Sequence, residues 1–204
     1  MSNTDVVGLL LAGGLARRMG GGDKPLRELN GRPLLEHVVE RARPQVGTLI
    51  LNANGDPERF VHFGLPVVAD VVDGFAGPLA GILTGLEWMA ANQSDAAWMV
   101  SFATDAPFFP TDMVSRLRES AEATNADVAC ACSKDRTHPV FALWRPSLRG
   151  DLRTALVEED MRKIDRWTAR YKVEEVSFDL DTTGRDPFFN INRPEDLAEA
   201  ETTL

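Results

Sequence analysis

The chain is short of cysteine and histidine, and long apolar runs are missing altogether. Its two cysteines, Cys130 and Cys132, are spaced i, i+2 and do not form a CxxC pair. On a strand both would point to one face, which reads as two small buried hydrophobes rather than a metal or redox site. No stretch approaches the roughly 18 apolar residues of a membrane span, so a spanning helix is not expected. Met1 to Thr4 carry no basic stretch ahead of an apolar segment, so a secretory leader is not expected either and the expected compartment is the cytoplasm. Positive charge is in deficit: the formal net charge is −9, which argues against nucleic acid as a partner. Neither GxGxxG nor GxxxxGK[ST] occurs, so the dinucleotide fingerprint and the P-loop are both absent.

What is present is an alternation of short apolar runs with longer amphipathic ones, the pattern of an α/β fold. Strands are expected at Val6 to Leu11, Thr48 to Leu51, Val67 to Ala69, Ala97 to Ala103, Val128 to Cys132, Pro139 to Leu143 and Val173 to Phe178. Helices are expected at Leu34 to Ala42, Pro78 to Ala91, Thr111 to Thr124, Leu148 to Val157 and Pro194 to Ala200, with Ser133 to His138 as a polar turn. No repeat, low-complexity tract or linker divides the 204 residues, which suffice for one core. The expectation is a single, doubly wound domain with a mostly parallel sheet. Such sheets bind ligands beyond the carboxyl ends of their strands, which directs attention to the residues just after each strand.

The first strand runs into a glycine-rich loop, Leu11-Ala-Gly-Gly-Leu-Ala-Arg-Arg-Met-Gly-Gly-Gly-Asp-Lys24. Gly13 and Gly14 permit close backbone approach to a ligand, and successive free N–H groups there can form an anion nest. Arg17, Arg18, Lys24, Arg27 and Arg32 outnumber Asp23 and Glu28 between residues 12 and 32, a local basic excess in an acidic chain. Glycines alone would also suit a plain surface loop. Their position after a buried strand, with two arginines and a lysine, favours a phosphate site.

Other strand ends carry further polar groups. Asn52 can both donate and accept, as purine-edge recognition requires, but Asn52 and Asn54 also suit a turn before Gly55. Asp70 could accept from a base or ribose, or cap a turn. Gly77-Pro-Leu-Ala-Gly81 opens a helix whose first N–H groups could face a nucleotide or simply pack on the sheet. Asp105 ends an apolar strand, where an isolated carboxylate is costly unless paired or metal-bound; one such Asp plus phosphate oxygens is a common magnesium set, and a loop or N-cap role stands beside it. His138 could serve as a base or as a structural residue at a strand start. Asn190 and Asn192, two apart, would share one face.

Together these segments resemble the molybdenum cofactor guanylyltransferase family. The likeness runs through the LAGG…RMG…DK loop, LRELNGRPL, GPLAG, Asp105-Ala-Pro107, His138-Pro-Val140 and Phe189-Asn-Ile-Asn192, nearly the whole chain from Val6 to Leu197. It implies a Rossmann-like nucleotidyltransferase fold, with a nucleotide half over about residues 6–105 and an acceptor half over about 106–200. It implies transfer of GMP from GTP to the terminal phosphate of a molybdenum-molybdopterin cofactor, with release of pyrophosphate. By the same resemblance Leu11, Ala12, Gly13, Gly14, Asn52, Asp70 and Gly77 bind the nucleotide. Lys24 would contact the phosphates with Arg17 or Arg18, Asp105 would bind Mg²⁺, and His138, Asn190 and Asn192 would face the acceptor. Transient handover of product to molybdoenzymes or delivery proteins is expected in addition. Relatives often carry threonine where Arg193 precedes Pro194, a departure confined to the last helix start. The alternatives are a cytidylyltransferase of the same cofactor, a sugar-phosphate nucleotidyltransferase, and a non-catalytic carrier of pterin or nucleotide, which would need neither Lys24 nor Asp105.

Overall fold

The first strand is apolar throughout because both of its faces are covered. In β1 (Val6–Leu11), Val6 and Leu10 enter one core and Val7 and Leu9 the other, all essentially fully buried. The architecture around it was obtained as a computed structural model, which describes residues 4–13, 23–74 and 77–202. After β1 come a short hairpin, β2 (Glu28–Leu29) and β3 (Arg32–Pro33), then α1 (Leu34–Ala42), β4 (Thr48–Asn52) and β5 (Val67–Val68). The chain continues through α2 (Pro78–Asn92), β6 (Trp98–Ala103), α3 (Met113–Thr124), β7 (Val128–Ser133) and β8 (Arg136–Trp144). It closes with α4 (Arg149–Val157), α5 (Ile164–Thr168), β9 (Val173–Ser177) and α6 (Pro194–Glu201).

Seven strands form one sheet in the order β5-β4-β1-β6-β8-β7-β9. β1 pairs parallel with β4 and β6, β4 with β5, and β7 with β9. β8 alone runs the other way, antiparallel to both β6 and β7. The two reversals cancel, so β7 and β9 point in the same direction as β1. The expected α/β class and mostly parallel doubly wound sheet are thus observed.

One layer holds α1 and α3, where Val38, Leu117, Phe102, Phe109 and Phe141 pack together. The other holds α2, α4 and α5, with Ile82, Leu83 and Met99 beside Trp144 and Trp167. Those two indoles stack with centroids 6.0 Å apart, and Trp144 Nε1 donates to the buried Ser101 Oγ at 2.9 Å. Each fully buried large apolar side chain contributes about 1.5–3 kcal/mol, so these layers hold the sheet rigid under its carboxyl rim.

Several local features differ from the sequence expectation. Ser133 and Arg136–His138 are strand, not turn; only Lys134 and Asp135 reverse the chain, both with positive φ (49° and 58°). Two left-handed residues make the tight hairpin turn that matches strand twist, and a Lys-Asp pair lacks the usual glycine signal for it. Asn30-Gly31, with φ of 52° and 74°, is that signal, and it closes the β2–β3 hairpin that the apolar pattern did not mark. The helix expected from Thr111 starts at Met113, and α5 is too short for helical periodicity to mark it. Arg193 starts α6 without threonine: Asp196 Oδ2 accepts the N–H groups of Asn192 and Arg193 at 2.8 and 2.9 Å. Among the described residues no helix is long and apolar enough to cross a membrane.

Candidate active site

A cleft of about 880 Å³ opens over the carboxyl ends of the parallel strands. Leu11 ends β1, Asn52 ends β4, Asp70 follows β5 and Thr104 and Asp105 follow β6, so parallel winding delivers all of them to one rim. The reversed strand β8 brings its opposite end, Arg136 to Phe141, to the same rim. Asn190 and Asn192 close the far side.

The floor is set by backbone bonds. Ala12 N–H donates to Asn52 O at 3.0 Å, and Thr104 Oγ donates to Leu11 O at 3.0 Å. Asp105 O accepts from Ile191 N–H at 2.7 Å, which ties the closing loop to the end of β6. Lys24 sits in a 3-10 turn, Lys24–Leu26, and is nine-tenths buried. Its ammonium is ion-paired with the Asp105 carboxylate and donates to Asn192 Oδ1 at 2.5 Å. The expected phosphate lysine and the expected metal aspartate are therefore in direct contact. A carboxylate at this strand end needs a cation, and Lys24 fills that need.

The opposite wall is a carboxylate held by amides. Asn52 Nδ2 donates to Val68 O at 3.1 Å and to Asp70 Oδ1 at 2.9 Å. Asn54 Nδ2 donates to Asp70 Oδ2 at 2.8 Å, and Asp70 N–H returns a bond to Asn54 Oδ1 at 2.9 Å. Both Asn52 amide protons are spent internally, so this buried side chain orients Asp70 and has no proton left for a base. Asn54, read from sequence as a turn residue, lines the cleft as part of the clamp. Arg59 carries that loop: it donates to Asn54 O at 2.6 Å and is ion-paired with Asp23.

Gly81, in the first turns of α2, explains how the helix fits behind this wall. A Cβ there would lie 2.4 Å from Leu11 Cδ2 and 2.5 Å from Asn52 Oδ1. Gly77, with φ of 141°, precedes the helix, and its N-terminal residues Gly77 and Pro78 line the cleft with the positive end of the helix dipole.

On the side of the cleft built by β8, His138 is buried and its ring packs tilted against Phe188, with centroids 4.6 Å apart. Burial pushes its pKa below the ordinary histidine value, with Asp186 pulling the other way and Arg136 reinforcing the fall. Ser133 Oγ lies 2.7 Å from His138 Nε2 and donates to Asp186 Oδ1 at 2.8 Å.

Of the residues singled out by sequence, Leu11, Gly13, Lys24, Asn52, Asp70, Gly77, Asp105, His138, Asn190 and Asn192 all line this cleft. Ala12 is buried beneath it. Gly14, Arg17 and Arg18 lie outside the described residues. Thr104, Arg136 and Asp73 also reach the cleft and were not anticipated; their only sequence signal is position next to a strand end or reversal. Cys130 and Cys132 are buried free thiols, and burial pushes Cys130 up to about 12.

Residues 8–174 match the family model described as "MobA-like NTP transferase domain". The chain is 58% identical over 193 residues to a molybdenum cofactor guanylyltransferase of Rhodopseudomonas palustris (strain BisB5), covering 95% of this chain and 91% of that one. It is 58% identical over 200 residues to a protein of the same name from Bradyrhizobium sp. (strain ORS 278), covering 98% and 93%. The crystal structure of molybdopterin-guanine dinucleotide biosynthesis protein A from Archaeoglobus fulgidus superposes with a TM-score of 0.77 at 25% identity, over 96% of this chain and 97% of that one. With the family model matching residues 8–174 and relatives at 58% identity over nearly the whole chain, the chain belongs to the MobA-like NTP transferase family.

Proposed function

We propose that the chain transfers GMP from GTP to the terminal phosphate of a molybdenum-molybdopterin cofactor. The observation that carries this reading is the contact of Lys24 with Asp105 between the Asp70 wall and the His138 wall of one cleft. Nucleotide would lie over residues 6–105, and the acceptor over residues 106–200. An oxygen of the acceptor phosphate attacks the α-phosphorus of GTP, the bond from that phosphorus to the bridging oxygen breaks, and pyrophosphate leaves. No protein atom is covalently modified. Acceleration then rests on holding two phosphates together and neutralising the charge that grows on the departing one.

Each wall has a task in this scheme. The two Asp70 oxygens, preset by Asn52 and Asn54, suit the adjacent N1–H and N2–H donors of guanine; cytosine lacks that donor pair. The α2 N-terminus and Gly13 give backbone N–H groups to phosphate. Lys24 exchanges its carboxylate partner for the pyrophosphate oxygens when nucleotide enters, while Asn192 keeps its ammonium aimed into the cleft.

Asp105 is the residue suited to Mg²⁺. Its carboxylate is partly exposed in the cleft and already holds a cation, and among the described residues no group of three or more His, Cys, Asp or Glu is placed as a metal cage. Asp105 would hold a Mg²⁺ ion there, which would supply Lewis-acid neutralisation of the triphosphate.

The test is pyrophosphate release with purified molybdopterin cofactor and Mg²⁺, offering GTP, CTP, ATP and UTP in turn. Release with GTP alone is the expected result. Release with CTP instead would overturn the base assignment and keep the chemistry. Silence with every nucleotide would sink the proposal in favour of a sugar-phosphate acceptor or a carrier.

A further inference from the structure

Proton counting around His138 fixes more than its position. Asp186 can only accept, so the single proton of the Ser133 hydroxyl goes to Asp186 Oδ1 at 2.8 Å. The same hydroxyl lies 2.7 Å from His138 Nε2 and has no second proton to give. His138 Nε2 must therefore be the donor. Asp186 is itself anchored, since Oδ1 also accepts Phe188 N–H at 2.9 Å, and Phe188 carries the imidazole on its ring. Ser133 is 2% and His138 8% exposed, so neither bond is open to easy replacement by water. The charged groups facing the ring are Asp186 and Arg136, which oppose one another, and burial leaves the ring neutral. A neutral ring with a proton on Nε2 has a lone pair on Nδ1, and Nδ1 has no partner among the described residues while His138 lines the cleft.

We infer that Ser133 and Asp186 are positioning residues that lock His138 in its Nε2–H tautomer, so that Nδ1 accepts an N–H group of the second substrate's heterocycle. The step depends on the proposed acceptor, whose pterin carries ring and amino N–H donors. A lone pair repels phosphate oxygen, so His138 reads the heterocycle and not the phosphate. It also gives the β7–β8 hairpin a reason to reach the rim: Ser133 closes β7 and His138 is the third residue of β8, five positions on across a two-residue turn. General-base work is not assigned to the ring, because the attacking phosphate monoester is already largely ionised near neutrality.

The test uses the full chain labelled with ¹⁵N at its three histidines, His138 being assigned through the loss of its signals in His138→Gln. Two-bond ¹H–¹⁵N correlations near pH 7.5 should show His138 neutral with the proton on Nε2. A proton on Nδ1, or on both nitrogens, overturns the inference. Ser133→Ala should mix the tautomers and raise KM for the acceptor roughly 2- to 10-fold, the span of one neutral hydrogen bond, with KM for GTP unchanged. Ser133→Thr, which keeps the hydroxyl, should restore both. An altered tautomer with an unaltered acceptor KM would also overturn it. Should Ser133→Ala fail to fold, Asp186→Asn removes the charged acceptor while keeping shape and is read the same way. Wild-type silence with every nucleotide would sink the acceptor reading, whereas the tautomer spectrum decides the positioning role independently.

Discussion

Lys24 and Asp105, 81 residues apart in the chain, neutralise one another at the centre of the cleft. One arrives on the turn after the glycine loop, the other at the end of β6. Each is the other's counter-ion.

Asp105→Asn keeps shape and removes the charge. It should lower turnover at least about 100-fold, the scale on which a single transition-state electrostatic contact acts, while the thermal midpoint stays within a few degrees of wild type. Lys24→Met should act through the same contact and weaken GTP use. Steady-state pyrophosphate release and a circular-dichroism melt on each variant check this; wild-type kinetic constants in either would remove that residue from the chemistry.

Gly81→Ala tests the wall behind Asn52 and Asp70. The new methyl would sit 2.4 Å from Leu11 Cδ2 and 2.5 Å from Asn52 Oδ1, so Asn52 must shift and release Asp70. The expected cost is about 1–3 kcal/mol in stability together with a raised KM for GTP. Urea denaturation and initial rates measure both. Gly150→Ala, in α4 with open space around its Cβ, is the control: it should leave the KM for GTP unchanged and should not destabilise the fold.

Much of this was readable beforehand, for particular reasons. β1 and β6 are buried on both faces, so their apolar runs stand out, and parallel winding then makes Asp105 a rim residue without further information. The clamp role of Asn54 was hidden because Asn-Gly is a strong turn signal and the side chain's partner is Asp70, sixteen positions on. The roles of Ser133 and Asp186 were hidden for a similar reason: 53 residues separate them, and a serine in a polar segment carries no local mark. The Lys24–Asp105 contact itself is long-range geometry, which local patterns do not encode.

The thiols should be inert in the native protein. Burial, opposed only by a hydrogen bond to the His138 backbone, pushes Cys130 to about 12, and Cys132 is raised as well. Both thiols should therefore stay protonated at pH 8. Iodoacetamide should label neither cysteine until denaturant is added, as intact mass would report. Rapid native labelling would contradict the burial of β7.

His138 should also mark the acid limb of stability. Its folded pKa lies below the ordinary value of 6.5, so the unfolded chain binds the proton more tightly. The neutral ring's contribution is present above about pH 6.5 and is lost as pH falls through the lower, folded value. Thermal midpoints of wild type should therefore drop between pH 7 and pH 5 more steeply than those of His138→Gln. Parallel slopes would show that the ring titrates equally in both states.

One strand in seven runs backwards, and that inversion has a consequence for how such enzymes diversify. β8 enters at the rim and descends into the sheet, so the stretch from Arg136 to Phe141 overhangs the cleft from a hairpin instead of from a crossover loop. A hairpin can change its tip and its first few side chains without disturbing the crossover connections that place Asp70 and Asp105. The wall from Arg136 to Phe141 could therefore be rewritten at its tip while the crossovers that bring Asp70 and Asp105 to the rim stay as they are.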